Sequence, residues 1–293
     1  MHGFGCWFAN HSNLIEVEGF QNLSGMTDAY MLFSGCGNLE TIWATGFDAS
    51  AIEDGYMGLY GCYRLVGGSG FVFGDRQSTS HVVSALSLGD EGVLTDPDAD
   101  GREWFWGHLY SDGELVLTAS EEADESCEAL LSGRHCANAS YTSLLSQPWR
   151  DCAEEILSVS LAEDMGDYSL VNMDYWFYGA SACGEVSGLS NLCGVHEMEY
   201  AFANCDALAE LDFRGFDPSA LTYVGHAFSG CSSLATIWAD AGWELPGTAS
   251  GLATFYSCEA LVGGNGTAYD SDNISYEYFR IDAEDEEGYL TAG

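Results

Sequence analysis

Five cysteines mark a regular interval along this chain. Cys36 and Cys62 are 26 residues apart, Cys205 and Cys231 are again 26 apart, and Cys258 follows after 27. Around them the same types recur: an aromatic, two residues, Cys, two residues, Leu, two residues, an aliphatic. Phe202, Cys205, Leu208 and Leu211 spell this pattern, and so do Phe228, Cys231, Leu234 and Ile237. A period of about 20 to 50 residues marks a repeat array, whose units are too small to bury an apolar face alone and must stack on one another. The spacing predicts a short helical turn before each cysteine and a short strand around the last aliphatic. Phe33, Leu39, Phe202, Leu208, Phe228 and Leu234 are then expected in the core.

A longer repeat encloses the short one. Shifting the sequence by 169 positions lays Trp7–Cys62 on Trp176–Cys231 without a gap, and 19 of the 56 pairs are identical. A shift of 196 aligns "LVGGSG" at Leu65 with "LVGGNG" at Leu261, and Leu94 of "GVLT" with Leu290 of "GYLT". Each copy therefore has the same beginning and the same end, and the second holds one unit more. Three regions follow: a first repeat block at 1–95, an acidic linker with a β-hairpin at 96–149, and a second block with its closing segment at 150–293. In the middle region "LYSDGELVL", Leu109–Leu117, alternates on both sides of an Asp-Gly turn and reads as a hairpin. "EILSVSLAED", Glu154–Asp164, reads as a strand leading into the second block, whereas "SEEADESCEALLSGRHCANAS" is polar and reads mostly as loop. The expected class is a strand-dominated α/β solenoid in two blocks.

Charge narrows the range of partners. Against 46 acidic residues stand seven basic ones, all arginine, giving a formal charge of −39. Such a surface repels nucleic acid and anionic lipid. The lack of lysine removes Schiff-base chemistry and the Walker-type phosphate grip. The 47% hydrophobic content is enough to fill a core. No apolar run approaches the roughly 18 residues of a membrane helix, so direct membrane insertion is not expected. The opening "MHGFGCWFANHSNL" lacks the regions of a signal peptide and begins in mid-unit, which points to an internal start.

The candidate chemistry is sparse. The repeat cysteines Cys36, Cys62, Cys205, Cys231 and Cys258 read as a buried ladder of small side chains, with a Cys36–Cys62 disulfide as the alternative. Cys6, Cys127, Cys136, Cys152, Cys183 and Cys193 stand off the repeat, and Cys127 with Cys136 is the first disulfide pair to consider. His135 beside Cys136 lacks the further ligands of a zinc site. No "GxSxG" or "HExxH" is present, and no enzyme is expected. "DPDADGRE" places Asp96, Asp98 and Asp100 at alternate positions before a glycine, like the first half of an EF-hand loop. The twelfth position is Gly107 rather than glutamate. These three are the candidate calcium ligands, and an acidic linker is the alternative; no other cofactor is expected. Asn22, Asn138, Asn265 and Asn273 begin glycosylation sequons, which matter only in a eukaryotic host.

The segments "FSGCSSLATIWAD", "FANCDALAELDFRGFDPSALTYV" and "LFSGCGNLETIWATGFDASAIEDGYM" resemble the repeats of the BspA-type leucine-rich repeat surface proteins of bacteria. The resemblance covers nearly everything except about 100–150. It implies a leucine-rich-repeat-like solenoid on the bacterial cell surface, outside the cell, used for adhesion and recognition. Partners would be a protein or glycan of a host or neighbouring cell. In such a unit the second aliphatic points inward and its neighbours point outward. That places Thr41, Trp43, Glu210, Asp212, Thr236 and Trp238 on a candidate binding face. Packing of each tryptophan against a neighbouring turn is the alternative. A carbohydrate-active enzyme region and a passive spacer of a larger surface protein are the competing functions.

Overall fold

A computed structural model describes residues 4–73, 78–141 and 148–293. The chain divides into two compact units, Met1–Arg102 with Asn138–Ser146, and Glu103–Ala137 with Gln147–Gly293. The architecture is strand-dominated, with several small sheets and, among the described residues, one α-helix. No helix among the described residues is long and apolar enough to cross a membrane.

In the first unit, β1 (Glu16–Val17), β2 (Thr41–Trp43) and β3 (Leu94–Thr95) form a parallel sheet in that order. Glu16 pairs with Thr41, Ile42 with Leu94 and Trp43 with Thr95. Between β2 and β3 lies α1 (Thr79–Ala85), started by Ser78, whose side chain accepts the His81 N–H. It buries Val82 and Ala85 beside Phe33, Cys36, Leu39 and Ile42.

The second unit contains β4 (Trp104–Tyr110), β5 (Glu114–Thr118), β6 (Ala129–Cys136), β7 (Ser158–Leu161), β8 (Val171–Asn172), β9 (Glu185–Ser187), β10 (Val195–Glu197), β11 (Glu210–Asp212), β12 (Thr236–Ala239) and β13 (Leu290–Ala292). The hairpin β4–β5 turns at Asp112-Gly113, where Gly113 has a φ of 87°. Its sheet runs β6-β4-β5-β7-β9, antiparallel in the hairpin and parallel from β5 onward, so β7 joins the hairpin to the repeats. The sheet β11-β12-β13 is parallel throughout.

Two expectations are corrected. The segment read as loop contains β6, eight residues paired antiparallel to β4. Its first four residues are exposed, so it carries little burial signal, and pairing with the hairpin imposes the strand. β6 also keeps Cys127 and Cys136 apart, since an extended strand of that length spans more than about 20 Å while a disulfide needs Cα atoms within about 7 Å. No disulfide joins any of the cysteines among the described residues.

The second correction concerns the turn before each repeat cysteine, which is not helical. In the unit ending at Cys205, the N–H groups of Tyr200, Phe202 and Asn204 donate to Gly225, Ala227 and Ser229 of the next unit, at 2.8–3.0 Å. The intervening N–H groups of Ala201, Ala203 and Cys205 fold back to Met198, Tyr200 and Phe202. Alternate donors thus point along the stack. A helix would direct them all back into its own turn. This path requires two left-handed residues per unit. They are Met31 and Gly35, Tyr200 and Asn204, and His226 and Gly230. The residue before the cysteine is Gly or Asn at Gly35, Gly61, Asn204 and Gly230, the types that adopt positive φ most readily, and Ser257 takes the same conformation before Cys258.

Phe33, Leu39, Phe202, Leu208, Phe228 and Leu234 are all fully buried. The rings stack between units, with Phe202 and Phe228 centroids 5.8 Å apart and Phe228 and Phe255 5.4 Å apart. Each repeat thiol donates to the carbonyl of the preceding unit's Phe. Cys231 Sγ lies 3.0 Å from Phe202 O, Cys258 3.0 Å from Phe228 O, and Cys36 2.8 Å from Phe8 O. Burial pushes the Cys231 thiol up to about 12, so it remains a protonated donor. In the native protein three thiols, the exposed Cys6, Cys127 and Cys193, should react quickly with a disulfide reagent, and the other eight only after denaturation. Cys231→Ala should lower stability by about 1–3 kcal/mol in urea unfolding, through the lost hydrogen bond and the cavity left behind.

Candidate functional site

In the second unit the outward side chains of successive strands line an open groove of about 570 Å³. Glu185 and Ser187 come from β9, Glu210 and Asp212 from β11, and Trp238 from β12, with Arg214 beside them. Their inward neighbours Val186, Leu211 and Ile237 are buried, so strand alternation sets the face. Trp238 is held from two sides. Its indole Nε1 donates to Glu210 Oε2 at 3.4 Å, and the Arg214 guanidinium lies 5.4 Å from the ring centroid. Arg214 is itself fixed by Asp212, with Nε and Nη2 donating to the two carboxylate oxygens at 2.9 and 2.6 Å. The Arg214 hydrogen bonds hold the Asp212 carboxyl below its usual range.

The first unit carries a related arrangement. Trp43 Nε1 donates to Glu16 Oε2 at 3.1 Å, and the Arg102 guanidinium lies 5.3 Å from the Trp43 ring centroid. Trp43 lines a second groove of about 310 Å³ with Glu18, Gln21, Thr45 and Pro97. Thr41, expected on the outer face, is 1% exposed. Arg102 covers it, donating from Nη1 to Thr41 Oγ1 at 2.9 Å and to Val66 O at 3.0 Å. Thr236, its counterpart on β12, is half-buried. Of the six residues expected on the face, Glu210, Asp212 and Trp238 line the groove of the second unit and Trp43 that of the first. Sequence reasoning missed Glu16, Arg102, Glu185 and Arg214. An available signal was the alternation of acidic and aliphatic residues in "EVE" and "ELD", with an arginine two residues beyond the latter.

Set beside known proteins, the chain matches no family model and no curated protein. Among solved structures it is similar to a leucine-rich repeat protein from Bacteroides ovatus, with 17% sequence identity and a TM-score of 0.31. The match covers 80% of this chain and 50% of that one, so the chain spans about half the length of that structure.

Of the three candidate calcium ligands, Asp96 and Asp100 have carboxylates with partners in the chain. Asp100 accepts Arg102 Nε and Nη2, each at 2.8 Å, and Asp96 Oδ1 accepts the Asp98 N–H at 3.0 Å. Among the described residues, no group of three or more His, Cys, Asp or Glu side chains is placed to hold a metal ion.

A second polar cluster lies along β8 and β10. Asn172 Nδ2 donates to Glu197 Oε2, the Asp174 N–H donates to Asn172 Oδ1, and Asp174 Oδ1 accepts the Glu199 N–H at 2.6 Å. Tyr175, Tyr200 and His226 stack beside it, with centroids 5.1 and 4.5 Å apart. Burial pushes the Asp174 carboxyl up to about 8; hydrogen bonds from the Glu199 N–H and Asn172 oppose this, and the Glu197 and Glu199 charges add to it. An acid whose pKa is raised on folding stabilises the protein fully below its unfolded pKa of about 4, and that stability is lost as pH rises toward about 8. Asp174→Asn, which keeps the acceptor, should equal the parent at pH 4 and exceed it by a few kcal/mol, order of magnitude, at pH 8. Thermal unfolding across that range is the measurement.

Proposed function

We propose that the chain is a non-catalytic recognition module of a bacterial surface protein, built as two short leucine-rich-repeat-like solenoid blocks. It binds a protein or glycan of a host or neighbouring cell through its strand face. The observation that carries this reading is the groove of the second unit, in which outward side chains of β9, β11 and β12 converge around a fixed indole. Half-buried aromatics rimmed by polar groups are typical of recognition surfaces, and tryptophan is enriched at binding hot spots. The alternation of parallel strands with stacked turns supports the solenoid. Placement at the cell surface follows from the sequence resemblance.

Within this groove the carboxylates favour binding over hydrolysis, and the raised carboxyl of Asp174 lies outside its lining. A glycosidase needs one carboxyl with a raised pKa as general acid. Asp212 is shifted the other way by Arg214, and Glu210 accepts the Trp238 N–H. Both suit the acceptor role of a binding site.

An array of glycans and extracellular proteins, probed with the parent and with Trp238→Ala, tests the reading. The variant should unfold cooperatively like the parent and lose roughly tenfold or more in affinity for the array ligand, as hot-spot truncations do. Equal binding by a folded Trp238→Ala would remove the groove as the site.

A further inference from the structure

We infer that the chain carries two binding sites, one in each unit, each beside a tryptophan held by a glutamate and an arginine, and that each takes a neutral, hydroxyl-bearing sugar ring. This rests on the recognition reading above and adds to it the ligand class and the number of sites. The two constellations share one design. Glu16 pairs with Thr41 on the adjacent strand as Glu210 pairs with Thr236, and Trp43 pairs with Thr95 as Trp238 pairs with Thr291. In both, the indole N–H donates to the glutamate of the preceding strand.

The correspondence is not the one that the sequence duplication alone would produce. At the offset of 169 that aligns the two copies, Trp43 falls on Asp212. The tryptophans correspond instead by their place next to the closing strands β3 and β13. The arginines are still less related. Arg102 follows β3, whereas Arg214 precedes β12, yet each guanidinium lies close to the same distance from its ring, 5.3 and 5.4 Å. Two segments without sequence correspondence, leaving different neighbouring strands, each bring a guanidinium close to the indole, and a groove opens beside each indole.

The lining selects the ligand. The formal charge of −39 and the carboxylates beside each tryptophan repel anions. A ligand cation seeking the indole would meet a guanidinium already placed over it. What remains is an uncharged ring with C–H groups for the indole and hydroxyls for neighbouring oxygens. In the first unit Gln21 lines the groove, and its Oε1 is buried without a hydrogen-bond partner, an acceptor suited to a ligand hydroxyl. Both volumes, about 310 and 570 Å³, fall in the range of small-ligand clefts.

Nitrogen-15 spectra of the full chain provide the test, since its eight tryptophans give separate indole N–H signals. Trp43→Phe and Trp238→Phe, which keep a ring at the same outward position, identify the two signals of interest. The probes are cellotetraose, chitotetraose, xylotetraose and mannotetraose, with tetralysine and a heparin tetrasaccharide as charged controls. At least one neutral probe should shift both signals over the same concentration range. Calorimetry with that probe should give two equivalents per chain, falling to one in Trp43→Ala or Trp238→Ala. A single shifting signal, or one equivalent in the parent, overturns the duplication and leaves the recognition reading intact. Shifts with tetralysine alone overturn the ligand class and favour a basic protein segment. Silence from every neutral probe also overturns the inference, while the array result with Trp238→Ala decides the recognition reading separately.

Discussion

The second unit depends on the main-chain hydrogen bonds that run from one repeat to the next through its turns. Three N–H groups per unit, as at Tyr200, Phe202 and Asn204, are aimed at the following unit, and the residues between them close local turns. These bonds pair main-chain groups in turns that bury Ala201, Phe202, Ala203 and Cys205. The same network fixes the separation of the stacked phenylalanines and places each cysteine under a carbonyl. A free thiol suits that position because it is small, apolar enough for a core and still able to donate once. The pattern continues in the first unit, where Met31, Phe33 and Gly35 donate to Tyr56, Gly58 and Tyr60.

Interior order of this kind lets the outer face vary. On β9 and β11 the outward positions carry Glu185, Ser187, Glu210 and Asp212, residues that would be costly in a core and are harmless in water. The tryptophans are the exception, because an indole in contact with solvent gains nothing unless something orients it. Each is clamped between a glutamate and an arginine, so it is presented in one pose rather than as a mobile apolar side chain. Preorganisation of that sort lowers the entropy lost on binding.

Much of this was readable from residue spacing. Phe202, Leu208 and Leu211 recur at intervals that place them in a common core, and the Asp112-Gly113 hairpin announces itself by alternation. The turns were less readable, because aromatic-x-x-Cys has the spacing of a helical face as well as of a left-handed turn. The clue lay in Gly35, Asn204 and Gly230, the residues preceding the cysteines. β6 was hidden because an exposed edge strand owes its conformation to the neighbour that it pairs with. The clamp on Trp43 was beyond reach for another reason: Arg102 lies 59 positions away, and nothing local links them. Thr41 was misplaced by the same gap, since only the arrival of Arg102 buries it.

The extra repeat of the second unit bears on how such chains change over generations. Every repeat presents donors to one neighbour and acceptors to the other, so a whole repeat can be inserted or lost at the gene level while both junctions persist. Unequal crossing-over between repeats supplies such changes in multiples of about 26 codons, the interval between successive cysteines. The offset between the two tryptophans exceeds the offset of the duplicated copies by one such step. Lineages can thus lengthen the array by recombination alone and keep the tryptophan-bearing repeat beside the closing strand.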